Sequence, residues 1–332
     1  MLAFLNRELS WLSFNERVLQ EAKDPSVPIV ERLRFLGIYS NNMDEFFRVR
    51  VANVRRMMLI DNNEIQGFKG GAKELYEEIV RVVMEQQKSF ERTYTRILVD
   101  LARHNIFHIT ERDLNADQKK ELHQYYLDEL KHAIVPIMLD PNHPFPRLND
   151  YRIYLAVKLI YSDKKKVRYA AIQIPENISR FYEIKDGNKT KIIILDDIIR
   201  LNLKEIFSIF NFEKIEAFTF KCTRDAELNL DDDFSLSIFD KIEKSVKLRK
   251  KGAPLRFVYD QNMPDDMLSF ILAGLKMKKG VNTIPGGKYH NFKDFRKFPD
   301  FGKKEFIYKK RNALPHADLE GKRSLFKTIL EK

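Results

Sequence analysis

The apolar residues Leu9, Leu12, Val18, Leu19 and Ala22, with Trp11 and Phe14, recur at the spacing of one helix face, and Asp24-Pro25-Ser26-Val27-Pro28 closes that helix. A second helix starts at Pro28 and carries Ile29, Leu33 and Leu36 at i, i+4 and i+7. At Ser40-Asn41-Asn42 the pattern predicts a junction. The two amides either end one helix in a left-handed turn or cap the next, whose first turn then holds Asp44 and Glu45. A third helix, from 43 to about 58, turns Phe46, Phe47, Val51 and Val54 inward and carries Arg48, Arg50, Arg55 and Arg56. After a turn-rich stretch at 61–71, Leu75, Ile79, Val82, Gln86, Phe90, Ile97 and Leu101 mark a long helix with bundle periodicity, reaching about His104. Residues 1–105 therefore read as a helical bundle.

The pattern changes after Asn105. Ile106-Phe107-His108-Ile109 reads as a short strand, and Asn115 caps a helix with Leu122, Tyr125, Tyr126, Leu130 and Ile134 that ends near Pro136. Residues 152–161 and 166–174, joined by Ser162-Asp163-Lys164-Lys165, form the clearest hairpin. Short β-branched or aromatic runs at 191–195, 215–222 and 255–259 alternate with helical patterns at 196–202, 235–250 and 265–275. The fold class is multidomain, α then α+β: a helical bundle followed by a second domain with a mixed or antiparallel sheet.

Composition supports two closely abutting domains. The 332 residues are 44% hydrophobic, enough for two cores, and no Ser/Gly-rich or Pro-rich tract suggests a long linker. A single cysteine, Cys222, excludes an internal disulfide and a cysteine-based zinc site; it reads as a small core residue in a reducing compartment. The apolar start at Met1 is too short for a signal peptide and no run of 18 apolar residues occurs, so the expectation is a soluble cytoplasmic protein. The net charge of +11 is concentrated: between 276 and 311, twelve Lys and Arg stand against Asp294, Asp300 and Glu305. Such a field attracts nucleic acid, an acidic membrane surface or a phosphate polymer, or else simply solubilises the surface.

Catalytic patterns are absent. The seven histidines, His104, His108, His123, His132, His143, His290 and His316, show no metal-ligand spacing, and there is no nucleophile elbow, P-loop or G-x-G-x-x-G. Pro285-Gly286-Gly287-Lys288 is either a hairpin or strand-to-helix turn or a weak phosphate cradle. Asp231-Asp232-Asp233 suits a solvated loop or N-cap better than a cation, because three consecutive side chains diverge. Lys241, Lys244, Lys247, Arg249, Lys250 and Lys251 crowd one predicted helix, which either tracks phosphates or faces water. Trp11, Phe46 and Phe47 belong to a core or stack a base. The polar knot at 40–50 is a helix junction or a ligand seat.

Phe4-Leu5-Asn6-Arg7-Glu8-Leu9-Ser10-Trp11-Leu12-Ser13-Phe14-Asn15-Glu16-Arg17-Val18-Leu19 and Glu31-Arg32-Leu33-Arg34-Phe35-Leu36-Gly37-Ile38-Tyr39-Ser40-Asn41-Asn42-Met43-Asp44-Glu45-Phe46-Phe47 resemble the amino-terminal signature of the histidine-type (type 1) bacterial polyphosphate kinases. Further matches lie at Met138, at 146–155, at Thr223-Arg224-Asp225-Ala226-Glu227 and from Pro285 through Phe295. The resemblance implies a helical N domain (1–105), an α+β head domain (106–316) for dimerisation and polyanion contact, and the start of a C-terminal catalytic region (317–332). It implies an enzyme that reversibly transfers the terminal phosphate of ATP to polyphosphate through a phosphohistidine, with Mg2+.

The family's His-x-Lys-x4-Asp motif is missing. His290 is followed by Asn291-Phe292-Lys293 and His316 by Ala317-Asp318, so the catalytic histidines and the Mg2+ ligands are expected outside this chain, which alone would be inactive. One family function maps onto a residue here: Asn42 matches the asparagine that contacts ATP near its adenine or ribose, with Asn41, Asp44 and Arg48 as supporting neighbours. Lys288, Lys293, Arg296 and Lys297 are the expected polyanion contacts. The implied partners are ATP or ADP, inorganic polyphosphate and further copies of the chain in a homodimer or larger homo-oligomer, with no specific nucleic acid; the location is the cytoplasm, with peripheral contact at the inner membrane. The alternative is a non-catalytic basic adaptor for nucleic acid or anionic lipid.

Overall fold

Four helices open the chain in the computed structural model, which describes residues 5–59, 65, 68–150, 152–162, 166–224, 254–280, 282–290, 292–312, 314, 316, 319 and 324–330. Helix α1 (Arg7–Lys23) begins where the Asn6 side chain accepts from the N–H groups of Glu8 and Leu9, and it buries Leu12, Leu19 and Ala22. Phe14, expected among the apolar positions, instead faces outward and is 58% exposed. Helix α2 (Ile29–Glu45) follows, and α4 (Ala72–Arg103) packs against both.

The predicted junction at Asn41-Asn42 is not there. Helix α2 continues to Glu45, passes through a π turn (Phe46–Val51) and resumes as α3 (Ala52–Leu59). A capping amide helps only where backbone groups lack helical partners, and here the N–H of Phe46 is already bonded to the carbonyls of Asn42 and Met43. The π turn has a packing consequence. It lets the adjacent rings of Phe46 and Phe47, each 1% exposed, both enter the core together with Val51.

The second region carries two sheets. Strand β1 (Ile106–Ile109) runs parallel to β6 (Lys189–Ile194), which pairs antiparallel with β5 (Phe181–Asp186); Gly187, at φ 59°, makes the tight turn between β5 and β6. The larger sheet has the order β2-β4-β3-β7-β8-β9. Its strands are β2 (Pro136–Leu139), β3 (Ile153–Ile160), β4 (Val167–Gln173), β7 (Lys214–Arg224), β8 (Pro254–Asp260) and β9 (Thr283–Gly286), all antiparallel except the β8–β9 pair. The helix capped by Asn115, α5 (Ala116–Tyr125), extends through a π turn (Tyr126–Leu130) and a 3₁₀ turn (Lys131–Ala133). Pro136 thus opens an edge strand and does not lie in a helix end; at an edge its missing N–H costs no ladder bond. Helices α6 (Leu195–Leu201), α7 (Leu203–Ile206) and α8 (Asp265–Gly274) complete this part.

A helical bundle followed by α+β with a mixed sheet is the architecture that the periodicities predict. Pleating divides the large sheet's faces. Phe220, Cys222 and Phe257 pack under α8 with Met267, Leu268 and Ile271, so Cys222 is a core residue, as its sequence context predicts. The opposite face meets α5 and α6 at one end and the N-terminal helices at the other, through Val258. The expected helix at 235–250, with its lysine-rich face, and Asp231-Asp232-Asp233 lie outside the described residues. Among the described residues no helix is long and apolar enough to cross a membrane.

Candidate functional site

Asn15 falls on the Leu12–Leu19 stripe of α1 and is wholly buried. Its Nδ2 donates to the Tyr39 carbonyl at 3.3 Å, and its Oδ1 accepts from Asn42 Nδ2 at 3.0 Å. The Tyr39 hydroxyl donates to Gln86 Oε1, and Gln86 Nε2 donates to the Leu12 carbonyl, each at 3.1 Å. Helices α1, α2 and α4 are therefore tied by a chain of polar bonds through an apolar core, where leaving such groups unpaired would be costly. Asn42 is the half-buried end of that chain.

Asp44 lies two residues on, about 200° around the helix, and points away to the sheet. Its carboxylate accepts from Lys221 Nζ of β7 and, at 3.5 Å, from Arg256 Nη1 of β8. Thr223 pairs with Arg256 and Lys221 with Val258, so Lys221 and Arg256 are diagonal neighbours on one sheet face. All three charged groups are buried, and the Arg256 guanidinium sits 4.5 Å over the Phe47 ring. Burial holds both Lys221 and Arg256 below their usual pKa, with the Asp44 carboxylate opposing that shift. A cleft beside the cluster is lined by Tyr39, Ser40, Asp44, Lys221, Arg256 and His290. Because Asp44 is bonded to both cations, it offers no seat for Mg2+ here, and no group of three or more His, Cys, Asp or Glu among the described residues is placed to hold a metal ion.

The other anticipated residues divide. Asn41 is half-buried on α2, and Arg48 stands 3.8 Å from Glu45. Phe46 stacks on Trp11 with centroids 4.5 Å apart, and Phe47 lies beneath Arg256, so both rings serve the core and neither is open to a base. Gly286 ends β9 and leads to the 3₁₀ turn Phe292–Lys297, which is the strand-to-helix turn among the readings of the Gly-Gly segment. Lys288 bonds Glu111 and Asp197, each at 2.8 Å, and Lys293 lies 3.4 Å from Glu176. Arg296 and Lys297 are exposed.

Sequence reasoning missed Lys221, Arg256 and Asn15. The alternation Thr219, Lys221, Thr223 looks like a solvated strand face, and nothing local shows that α2 covers it. Asn15 did leave a signal, as a polar residue on an apolar stripe.

Comparison with known proteins bears on the whole chain. A family model of the polyphosphate kinase middle domain matches residues 117–298, and one of the polyphosphate kinase N-terminal domain matches residues 4–109. A polyphosphate kinase of Vibrio parahaemolyticus is 38% identical over 335 residues, covering 99% of this chain and 48% of that protein. That of Escherichia coli K12 is 39% identical over 319 residues, covering 94% and 46%. The crystal structure of polyphosphate kinase from Porphyromonas gingivalis matches with a TM-score of 0.79 at 29% identity, over 98% of this chain and 46% of that one. The chain spans about half the length of the relatives it matches.

Asp44→Ala takes from two buried cations the carboxylate they share, so urea unfolding should show a loss of about 3–5 kcal/mol; a loss below about 1 kcal/mol would mean the cluster is not what holds α2 to the sheet. A second expectation concerns acid. Burial, reinforced by Lys221, pushes His290 from 6.5 down to about 3. Between those values the unfolded chain holds a proton at this imidazole that the folded chain does not, so stability falls as pH drops through that window. Urea midpoints at about pH 7 and about pH 5 should differ less in His290→Gln than in the wild type. Equal pH losses in both would remove His290 as a source of acid sensitivity.

Proposed function

The chain belongs to the polyphosphate kinase family, and on that premise we propose that it supplies the nucleotide-contact face of an enzyme that reversibly moves the terminal phosphate of ATP onto polyphosphate. The observation that carries this reading is the placement of Asn42, an uncharged amide anchored by Asn15 and half-open to solvent. Such a group can read a base or sugar edge by hydrogen bonding without attracting every anion. Asn41 and Arg48, on the same helical segment, flank the contact. Asp44 supports it from behind, through the sheet.

The phosphates of the nucleotide, the Mg2+ that accompanies them and the phosphohistidine belong to residues outside this chain. None of its seven histidines stands in a His-x-Lys-x4-Asp motif, and alone it would bind without transferring. Polyphosphate contact falls to Arg296 and Lys297, with exposed Lys304, Lys309, Lys310 and Arg311 nearby in sequence. Lys288 and Lys293, held in ion pairs, contribute less directly. Assembly into a homodimer or larger homo-oligomer through the α+β region belongs to the same proposal.

Calorimetric titration of ATP into the purified chain tests the reading. Asn42→Ala should weaken binding by roughly 3- to 10-fold, the worth of one or two hydrogen bonds. Equal affinity in wild type and variant would remove Asn42 from the nucleotide site.

A further inference from the structure

We propose that Asn15 is a positioning residue for the nucleotide: it locks the Asn42 amide with its oxygen outward, so that the site selects a hydrogen-bond donor on the nucleoside. The inference rests on the nucleotide reading of Asn42 and adds to it the orientation of that amide and the residue that sets it.

The orientation follows from one fixed group. The Tyr39 backbone carbonyl can only accept, so Asn15 must turn its Nδ2 toward it, which it does at 3.3 Å. Asn15 Oδ1 is then left on the side of Asn42, and Asn42 must present its own Nδ2 there, at 3.0 Å. Flipping both amides would press Asn15 Oδ1 against the Tyr39 oxygen, two acceptors at a site with 0% exposure where solvent cannot compensate. Tyr39 is itself held, since its hydroxyl bonds Gln86 and Gln86 bonds the Leu12 carbonyl. The setting of Asn42 is thus dictated from the backbones of α1 and α2. Asn42 Oδ1 has no partner among the described residues and lies at the half-open end of the relay.

An outward oxygen takes a donor. On an adenine nucleotide the donors are the exocyclic 6-amine and the ribose hydroxyls; a 6-oxo purine would set acceptor against acceptor at that position. Analogue binding separates the sources: inosine triphosphate lacks the amine, and 2′-deoxy-ATP and 3′-deoxy-ATP each lack one hydroxyl.

The test is a calorimetric or fluorescence titration of the full 332-residue chain with ATP and these three analogues, in wild type, Asn15→Leu, Asn15→Asp and Asn42→Ala. In the wild type one analogue should bind about 5-fold or more weakly than ATP, identifying the donor. Asn15→Leu releases the Asn42 amide, and the ratio should collapse to within about 2-fold. Asn15→Asp, which burial against the Tyr39 carbonyl keeps protonated, donates its O–H to that carbonyl and turns its other oxygen to Asn42 Nδ2; it should retain the discrimination, a rescue that a merely structural role would not give. If all three analogues match ATP in the wild type, the inference falls without recourse to any variant. If Asn42→Ala weakens ATP while Asn15→Leu keeps the wild-type ratio, this inference fails alone. If Asn42→Ala binds ATP as the wild type does, or the wild type binds none, the nucleotide reading fails and takes this inference with it.

Discussion

The buried carboxylate of Asp44, shared between Lys221 and Arg256, is the interaction on which the arrangement of the N-terminal helices depends. A buried ion cluster is weak evidence of net stabilisation, because desolvation of three charges offsets much of their attraction. It is strong evidence of geometry. Two cations fixed on adjacent strands accept one carboxylate in one place, so the rotation of α2 about its axis is set. Once Asp44 faces the sheet, Phe47 lies under Arg256, Tyr39 lines the cleft, and Asn42 is turned toward α1. A second constraint acts higher on the same helix. A Cβ at Gly37 would lie 2.8 Å from the Phe292 carbonyl oxygen, so only glycine allows α2 to approach the 3₁₀ turn this closely. Phe292, stacked with Phe295 and edge-on to Phe90 and Tyr94, then continues the core from the helices into the α+β region.

Most of the architecture could be read from periodicity because burial dictates it. The stripe from Leu75 to Leu101 and the hairpin on either side of residue 163 bury apolar residues at helical and strand spacing, and no competing signal disturbs them. The failures have a common physical origin. Asn41-Asn42 carries a real local preference for caps, yet Asn42 found a better partner on α1, 27 residues away, and the helix ran on. Lys221 and Arg256 alternate with aromatics as solvated strand residues do; the carboxylate brought by α2 compensates their burial. Strand β5, with Glu183, Lys185 and Asp186, is too polar to announce itself and is stabilised by pairing with the β-branched β6.

The candidate site was legible in a different way. No spacing of Asn42 points to a ligand by itself; the family resemblance selects it, and the structure sets Asn42 and Asp44 toward different neighbours. Asn42 ends an amide relay at the surface, whereas Asp44 anchors the same helix on the opposite side. A ligand contact at the first can remain rigid because the second is buried. The proposed division of labour within the helix follows: the Asn42 side orients a nucleotide, and the Asp44 side holds the helix that carries it.

Photolabelling with 8-azido-ATP followed by peptide mapping tests that claim most directly. Label should concentrate on peptides from residues 11–19 of α1 and 39–50 of α2 and its π turn, and excess ATP should suppress it. Label confined to the basic stretch at 276–311, or insensitive to competing ATP, would contradict a nucleotide face built on Asn42.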